Sequence, residues 1–237
     1  MSVLVVAGTG AGVGKTVVVA AVAVLARGRE WSVAVVKPAQ TGVAPGDDGD
    51  VDVVIRLAGV GTTFEMRRFA EPLSPAAAAR ASGVPAVSMA DVAELVRDLA
   101  GSNRLVVVEG TGGLLERYDA DGATIADLAR LLRAQVLVVA GVGEGAVNQA
   151  ALTLEVLAHR GLDLGGLVIG RWPGRPGLVE RSNVADLEML AARPLAGVLP
   201  DGMGGLGREE FAEAAREGLS AVLGGAFDPV AFRHQVS

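Results

Sequence analysis

Short apolar runs alternate with longer stretches of helical periodicity along the whole chain. Val3–Ala7, Val33–Val36, Leu105–Val108, Val136–Ala140, Leu167–Ile169 and Leu195–Val198 are rich in Val and Leu at successive positions. A strand that is apolar on both faces is covered on both, as in a parallel sheet. Between these runs lie helix candidates at Gly14–Arg27, Asp50–Leu57, Ala90–Leu99, Ile125–Leu132, Asn148–His159, Leu178–Ala191 and Glu209–Leu223. The alternation predicts an α/β fold: a doubly wound, mainly parallel sheet with helices on both faces and right-handed crossovers. Gly42–Gly49 reads as a loop, and so does Phe69–Pro75, where Pro72 and Pro75 oppose a helix. Neither looks like a boundary, and no repeat or low-complexity linker divides the chain, so residues 1–237 are expected to form one domain.

In open sheets of this kind ligands bind beyond the carboxyl ends of the strands, so the polar residues that follow each strand carry the functional reading. The first strand runs into Gly8-Thr9-Gly10-Ala11-Gly12-Val13-Gly14-Lys15-Thr16 and then an apolar helix. Glycines let backbone N–H groups curl around an anion, and the helix N-terminus adds partial positive charge. In such a loop Lys15 would reach the β- and γ-phosphates of a nucleotide and the Thr16 hydroxyl would ligate Mg²⁺. Strict phosphate-loop spacing wants glycine at position 9, where Thr9 stands, and Gly8 comes one residue early. The dinucleotide fingerprint G-x-G-x-x-G fails, because Val13 occupies its third glycine. The fold expected is therefore of the P-loop NTPase type.

Strand two ends in Lys37-Pro38-Ala39-Gln40-Thr41-Gly42. A second cation beside a phosphate loop would offset charge building on a transferring phosphoryl group; alone, it reads equally well as a solvated strand end. Asp47-Asp48-Gly49-Asp50 then enters a helix. Three acids in four residues suggest a metal ligand, and Asp50, nearest the helix start, is preferred over a plain helix cap. Strand three delivers Glu109-Gly110-Thr111-Gly112-Gly113, an acid directly after an apolar strand, which is the Walker B arrangement for holding Mg²⁺. The competing reading is a glycine turn with an exposed acid. His159 and His234 sit near a helix end and the chain end, so a histidine-based mechanism is not expected.

Composition narrows the partners. There are 27 acidic against 21 basic residues, a formal charge of −6, so nucleic acid and anionic membrane are not expected as partners. Cysteine is absent, which excludes disulfides and thiol chemistry. The longest apolar run, Val17–Ala26, is too short to span a bilayer. The first residues lack a signal peptide's basic region, and the cytoplasm is the expected compartment.

Taken in order, these segments resemble the dethiobiotin synthetase family over most of the chain. The resemblance rests on Gly8–Thr16, Lys37-Pro38-x-Gln40-Thr41-Gly42, the acidic loop to Asp50, and Glu71-Pro72-x-Ser74-Pro75. It continues through Val108-Glu109-Gly110-x-Gly112-Gly113, Asn148 with Leu152-Thr153-Leu154-Glu155, and Gly170-Arg171-Trp172-Pro173. It implies a cyclo-ligase that takes 7,8-diaminononanoate, CO₂ (or bicarbonate) and ATP as co-substrate, with Mg²⁺, and makes dethiobiotin, ADP and phosphate. A carbamate of the diamine would attack the γ-phosphate to give a carbamic–phosphoric anhydride, which the second amine would close. The resemblance assigns Lys37 as the active-site lysine, with Lys15 sharing the charge. It assigns Thr16, Asp50 and Glu109 as Mg²⁺ ligands, and Thr41, Val147 and Asn148 to the substrate. It puts the nucleotide on Gly12, Val13, Gly14, Lys15, Thr16, Val17, Asp50, Glu109, Gly110, Thr111 and Gly112, with the base near Gly170, Arg171, Pro200, Asp201 and Gly202. A homodimer is implied, the substrate carboxylate docking near Asn148 of the second subunit.

The chain departs from the family pattern at Gly10 and Ala11 (usually Asp and Thr), Thr111 (usually Ala), Gln149 (usually His) and Arg171 (often a base-reading Asn). The last leaves the base, and so the nucleoside triphosphate, open. The rival readings are a partitioning-type ATPase switch of the same fold and a related amide-forming ligase. The switch class carries an extra lysine where this chain has Gly10, and the ligases append a domain with a catalytic Cys.

Overall fold

The computed structural model describes residues 2–236. In chain order the elements are β1 Ser2–Gly8, α1 Lys15–Gly28, β2 Val33–Lys37, β3 Gln40–Thr41, α2 Asp50–Ala58, β4 Thr62–Glu65, β5 Arg68–Phe69, α3 Pro75–Ser82 and α4 Met89–Ser102. There follow β6 Leu105–Gly113, α5 Ile125–Leu132, β7 Gln135–Ala140, α6 Ala146–His159, β8 Leu164–Trp172, α7 Leu178–Ala191, β9 Gly197–Pro200, α8 Arg208–Gly218 and α9 Pro229–Val236. Seven strands form one sheet in the order β4-β2-β6-β1-β7-β8-β9, and every pairing among them is parallel. Parallel neighbours need a crossover, and helices supply it.

Two apolar layers explain the strands' composition. On one face α1, α2 and α8 bury Val18, Val22, Leu57 and Phe211 against Val6, Val35, Val107 and Val139. On the other, α4 to α7 bury Val92, Leu128, Leu157 and Leu187 against Val5, Val36, Val108 and Val138. Successive strand residues thus enter opposite cores, and each fully buried Val or Leu contributes about 1.5–3 kcal/mol of burial free energy. No helix among the described residues is long and apolar enough to cross a membrane.

The six strands and seven helices expected from the sequence are present, with four differences. The last strand lies at Gly197–Pro200, two residues beyond the expected Leu195–Val198. Helix α8 stops at Gly218 and does not run to Leu223. There the chain turns extended to pair with the sheet edge: Gly197 bridges Leu219, and Ser220 N–H donates to Ala196 O at 2.9 Å. Pro75 does not oppose a helix but begins α3, at the first helical position, where its missing N–H is no loss. Strands β3, β4 and β5 and helix α9 had no expected counterpart.

Candidate functional site

Three neighbouring strands bring the charged residues together. Val36 pairs with Val108 across β2 and β6, and Val6 pairs with Glu109 across β1 and β6. Lys37, Glu109 and the glycine loop after β1 therefore emerge side by side at the carboxyl edge of the sheet.

The loop is held by backbone packing. Gly12 and Gly14 take left-handed φ values of 70° and 96°. A Cβ on Gly14 would lie 2.5 Å from Gly170 O, and one on Gly170 would lie 2.2 Å from Val13 O. Gly170 is thus the platform on which the loop sits. Gly8 is equally confined: its Cβ would meet Gly10 O at 2.7 Å and Lys15 Nζ at 2.9 Å. That accounts for a glycine one residue earlier than the strict spacing. Lys15 Nζ donates to Gly10 O at 2.8 Å, folded over its own loop.

Lys37 lies at the centre and is only 2% exposed. Its Nζ is 2.6 Å from Asp50 Oδ2 and 2.8 Å from Glu109 Oε1, and it donates to Gly110 O at 3.4 Å. Thr16 Oγ1 donates to the same Glu109 oxygen at 2.8 Å. Burial disfavours the Lys37 ammonium, but Glu109 and Asp50 outweigh it and hold its pKa above the ordinary lysine value. Burial works against the Asp50 carboxylate too, yet Lys37 keeps its pKa below the usual range. Burial raises the pKa of Glu109, with Lys37 opposing. Burial, then repulsion from Lys37, pushes Lys15 down to about 8. This is a charge-paired cluster, buried at Lys37 and Glu109 and open to the cavity at Asp50, whose central lysine stays an ammonium.

The Thr16 hydroxyl and the Asp50 and Glu109 carboxylates are hard oxygen donors already gathered around a cation. Such a set suits Mg²⁺, which takes one or two carboxylates and leaves its other positions to water and phosphate oxygens. No group of three or more His, Cys, Asp or Glu placed to hold a metal occurs among the described residues; this donor set is one hydroxyl and two carboxylates.

A cavity of about 530 Å³ opens over this cluster. Its wall includes Gly12, Gly14, Lys15, Thr16 and Val17 of the phosphate loop and α1, and Lys37, Thr41, Asp50, Glu109, Thr111 and Gly112. Gly170, Arg171, Pro200, Asp201 and Gly202 form the far wall. Val13 faces a neighbouring cavity behind the loop, and Gly110 is reached through its carbonyl by Lys37. Val147 and Asn148 lie in the first turn of α6 and not on this cavity's wall. Arg171 pairs with Asp201 at 2.9 Å and donates to Gly12 O at 3.2 Å, tying the far wall to the phosphate loop.

Sequence reasoning assigned no role to three contributors. Gln40, 5% exposed, lines the cavity beside Asp50. Tyr118, fully buried, accepts the Thr111 N–H at 2.7 Å, while Thr111 Oγ1 donates to Ala39 O. Arg68 donates to Asp47 O and pairs with Glu65, fastening the acidic loop. Their partners are mostly backbone groups, which a motif does not reveal.

Residues 2–203 match a family model described as an AAA domain. The ATP-dependent dethiobiotin synthetase BioD of Frankia casuarinae is 60% identical over 233 residues, 98% of each chain. That of Streptomyces coelicolor is 50% identical over 232 residues, again 98% of each. Among solved structures, the septum site-determining protein MinD complexed with Mg-ADP from Pyrococcus horikoshii matches with TM-score 0.59 at 14% identity, covering 97% of each chain. A ParA family ATPase from Chlorobium tepidum matches with TM-score 0.54 at 13% identity over 99% of this chain and 98% of its own. At those identities the likeness shows the fold alone.

Proposed function

The chain belongs to the dethiobiotin synthetase family, and on that premise we propose that it closes the ureido ring of dethiobiotin from 7,8-diaminononanoate, CO₂ and ATP. The observation that carries the reading is the buried ammonium of Lys37, set between Asp50 and Glu109 beside the phosphate loop.

One amine nitrogen of the diamine bonds to the carbon of CO₂ and loses a proton, giving a carbamate. A carbamate oxygen attacks the γ-phosphorus; the bond to the β–γ bridging oxygen breaks and ADP leaves. The second amine attacks the carbamoyl carbon and gives up a proton, the carbon–oxygen bond breaks, phosphate leaves and the ring is closed. The first transfer joins two anions, so its barrier is largely electrostatic. Lys37 is held protonated and therefore acts through charge, not as a base. Lys15 supplies a second cation on the nucleotide side. The low-dielectric surroundings of both strengthen that charge relative to water.

Thr16, Asp50 and Glu109 would hold Mg²⁺, whose chemistry here is to neutralise phosphate charge. Thr41, on the same wall as Lys37, would bind the diamine end of the substrate. Val147 and Asn148 lie off this wall, which is consistent with their serving the site of a second copy in a homodimer. Free N–H groups in the first turn of α6 would receive the substrate carboxylate. The far wall at Gly170, Arg171, Pro200, Asp201 and Gly202 would take the base.

The test is phosphate release from ATP with Mg²⁺ and bicarbonate, with and without the diamine. Release that requires the diamine, with dethiobiotin in the mass spectrum, is expected. Release that ignores the diamine but responds to DNA or lipid would sink the reading in favour of a switch ATPase. CTP and GTP in the same assay decide the base.

A further inference from the structure

Gln40 has no part in that chemistry, yet its side chain is buried against the cavity between Thr41 and Asp50. Its Oε1 accepts the backbone N–H of Asp50 at 2.9 Å. Its Nε2 donates to Thr41 O at 3.3 Å. Only oxygen can accept from Asp50 N–H, so the amide's orientation follows from the network.

Asp50 is the first residue of α2, where N–H groups have no partner within the helix. The preceding Gly49 has no side chain to cap with. Its own N–H is taken by Asp52 Oδ2 at 2.8 Å, which leaves the Asp50 N–H to Gln40. A Cβ on Gly49 would sit 3.2 Å from Gln40 Oε1 and 2.7 Å from Arg68 Nη2, so the glycine makes room for the amide. The helix start is therefore docked on a side chain from strand β3. Its Asp50 carboxylate is aimed at Lys37, 2.6 Å away.

We infer that Gln40 is a positioning residue: it fixes the Asp50 carboxylate at the cation site and ties it to Thr41, so that the two ends of the reaction keep one spacing. The inference rests on the proposed role of Asp50 as a metal ligand. Partners that orient a ligand of a metal typically change its affinity by roughly 10–100-fold when removed.

The experiment titrates Mg²⁺ calorimetrically into protein holding a non-hydrolysable ATP analogue, with the analogue's affinity in EDTA as the control. Gln40→Leu keeps the volume and removes both hydrogen bonds; Gln40→Ala lets water reach the Asp50 N–H and serves if the leucine variant does not fold. The expected result for Gln40→Leu is a Mg²⁺ midpoint raised roughly tenfold, with affinity in EDTA nearly unchanged. Placed on Asp50→Asn, the same change should add less than about twofold, because a residue that acts through another is non-additive with it. A midpoint unmoved by Gln40→Leu but shifted by Asp50→Asn overturns the inference and leaves the metal site standing. Fully additive shifts also overturn it. A midpoint unmoved by Asp50→Asn removes the metal reading itself, and this inference with it.

Discussion

Replacing Lys37 by Met tests the charge cluster at its centre. The substitution keeps an unbranched side chain and deletes one positive charge, leaving Glu109, 1% exposed, without its cation. Breaking a buried pair by removing one partner costs about 3–5 kcal/mol, because the remaining charge stays desolvated. Thr16 still donates to Glu109, so the lower end of that range is expected. For a chain of this size about 3 kcal/mol corresponds to a fall in Tm of roughly 6–12 °C. The pH dependence has a definite sign. Burial already raises the Glu109 pKa, and without Lys37 it rises further. A carboxyl whose folded pKa lies above its unfolded value penalises the fold at high pH and is relieved as pH falls through the folded value. Scanning calorimetry should therefore show a larger deficit at about pH 8 than at about pH 4.5, the ordinary carboxyl value. Mg²⁺ should return part of it by mass action on the folded state. Turnover should drop by about 10²–10³, as when a preorganised electrostatic donor is lost, with nucleotide affinity largely kept. Equal Tm for variant and wild type at both pH values, or near-normal turnover, would refute the argument.

Glu109→Gln should raise the Mg²⁺ concentration needed for half-maximal rate; an unchanged Mg²⁺ titration removes Glu109 from the metal site. Lys15 titrates at about 8 in the free protein, and bound polyphosphate would raise that value. Nucleotide affinity should then be flat below about pH 7.5 and weaken by up to about tenfold per unit above pH 8, measured by calorimetry; a flat profile to pH 10, or the same slope in Lys15→Ala, excludes Lys15 as the cause. Gly170→Ala would place a methyl against Val13 O and Val139 Cγ1, at 2.2 and 2.6 Å, so the loop must shift. It should cost about 1–3 kcal/mol in denaturant unfolding and weaken nucleotide binding; wild-type values for both would show that the contact is not rigid.

The chemistry was legible in the sequence where strands end in charge. Lys37 and Glu109 follow unbroken apolar runs, and parallel register then places them side by side without further information. Elements defined by their partners were not legible. Thr62–Glu65 has no apolar alternation and becomes β4 only because Ala34 to Lys37 pair with it. Helix α3 was hidden by Pro75, which as a first helical residue is a start signal but inside a loop reads as a breaker. The bonds of Gln40 and Tyr118 were not legible for a related reason. Each bonds a backbone N–H some ten and seven residues away, and only the folded loops decide which one.

Fold alone would have pointed elsewhere, since the sheet matches a septum site-determining protein and a ParA family ATPase at 13–14% identity. A shared sheet and phosphate loop leave function to the residues grafted on them. The useful discriminant is a charge count. In the free protein Lys15 and Lys37 balance Asp50 and Glu109, and the ammonium of Lys37 is committed to both acids. A reaction that brings a carbamate onto a phosphoryl group adds negative charge to a site with no net charge to spare. On the proposed mechanism another cation would have to take up the two acids so that Lys37 could turn to the reacting anions. The Thr16 hydroxyl already donates to Glu109, so a third oxygen stands ready beside the acids for that cation. On this reading the second lysine and the paired acids form one device, and an acid or a lysine alone at these strand ends would not perform the transfer.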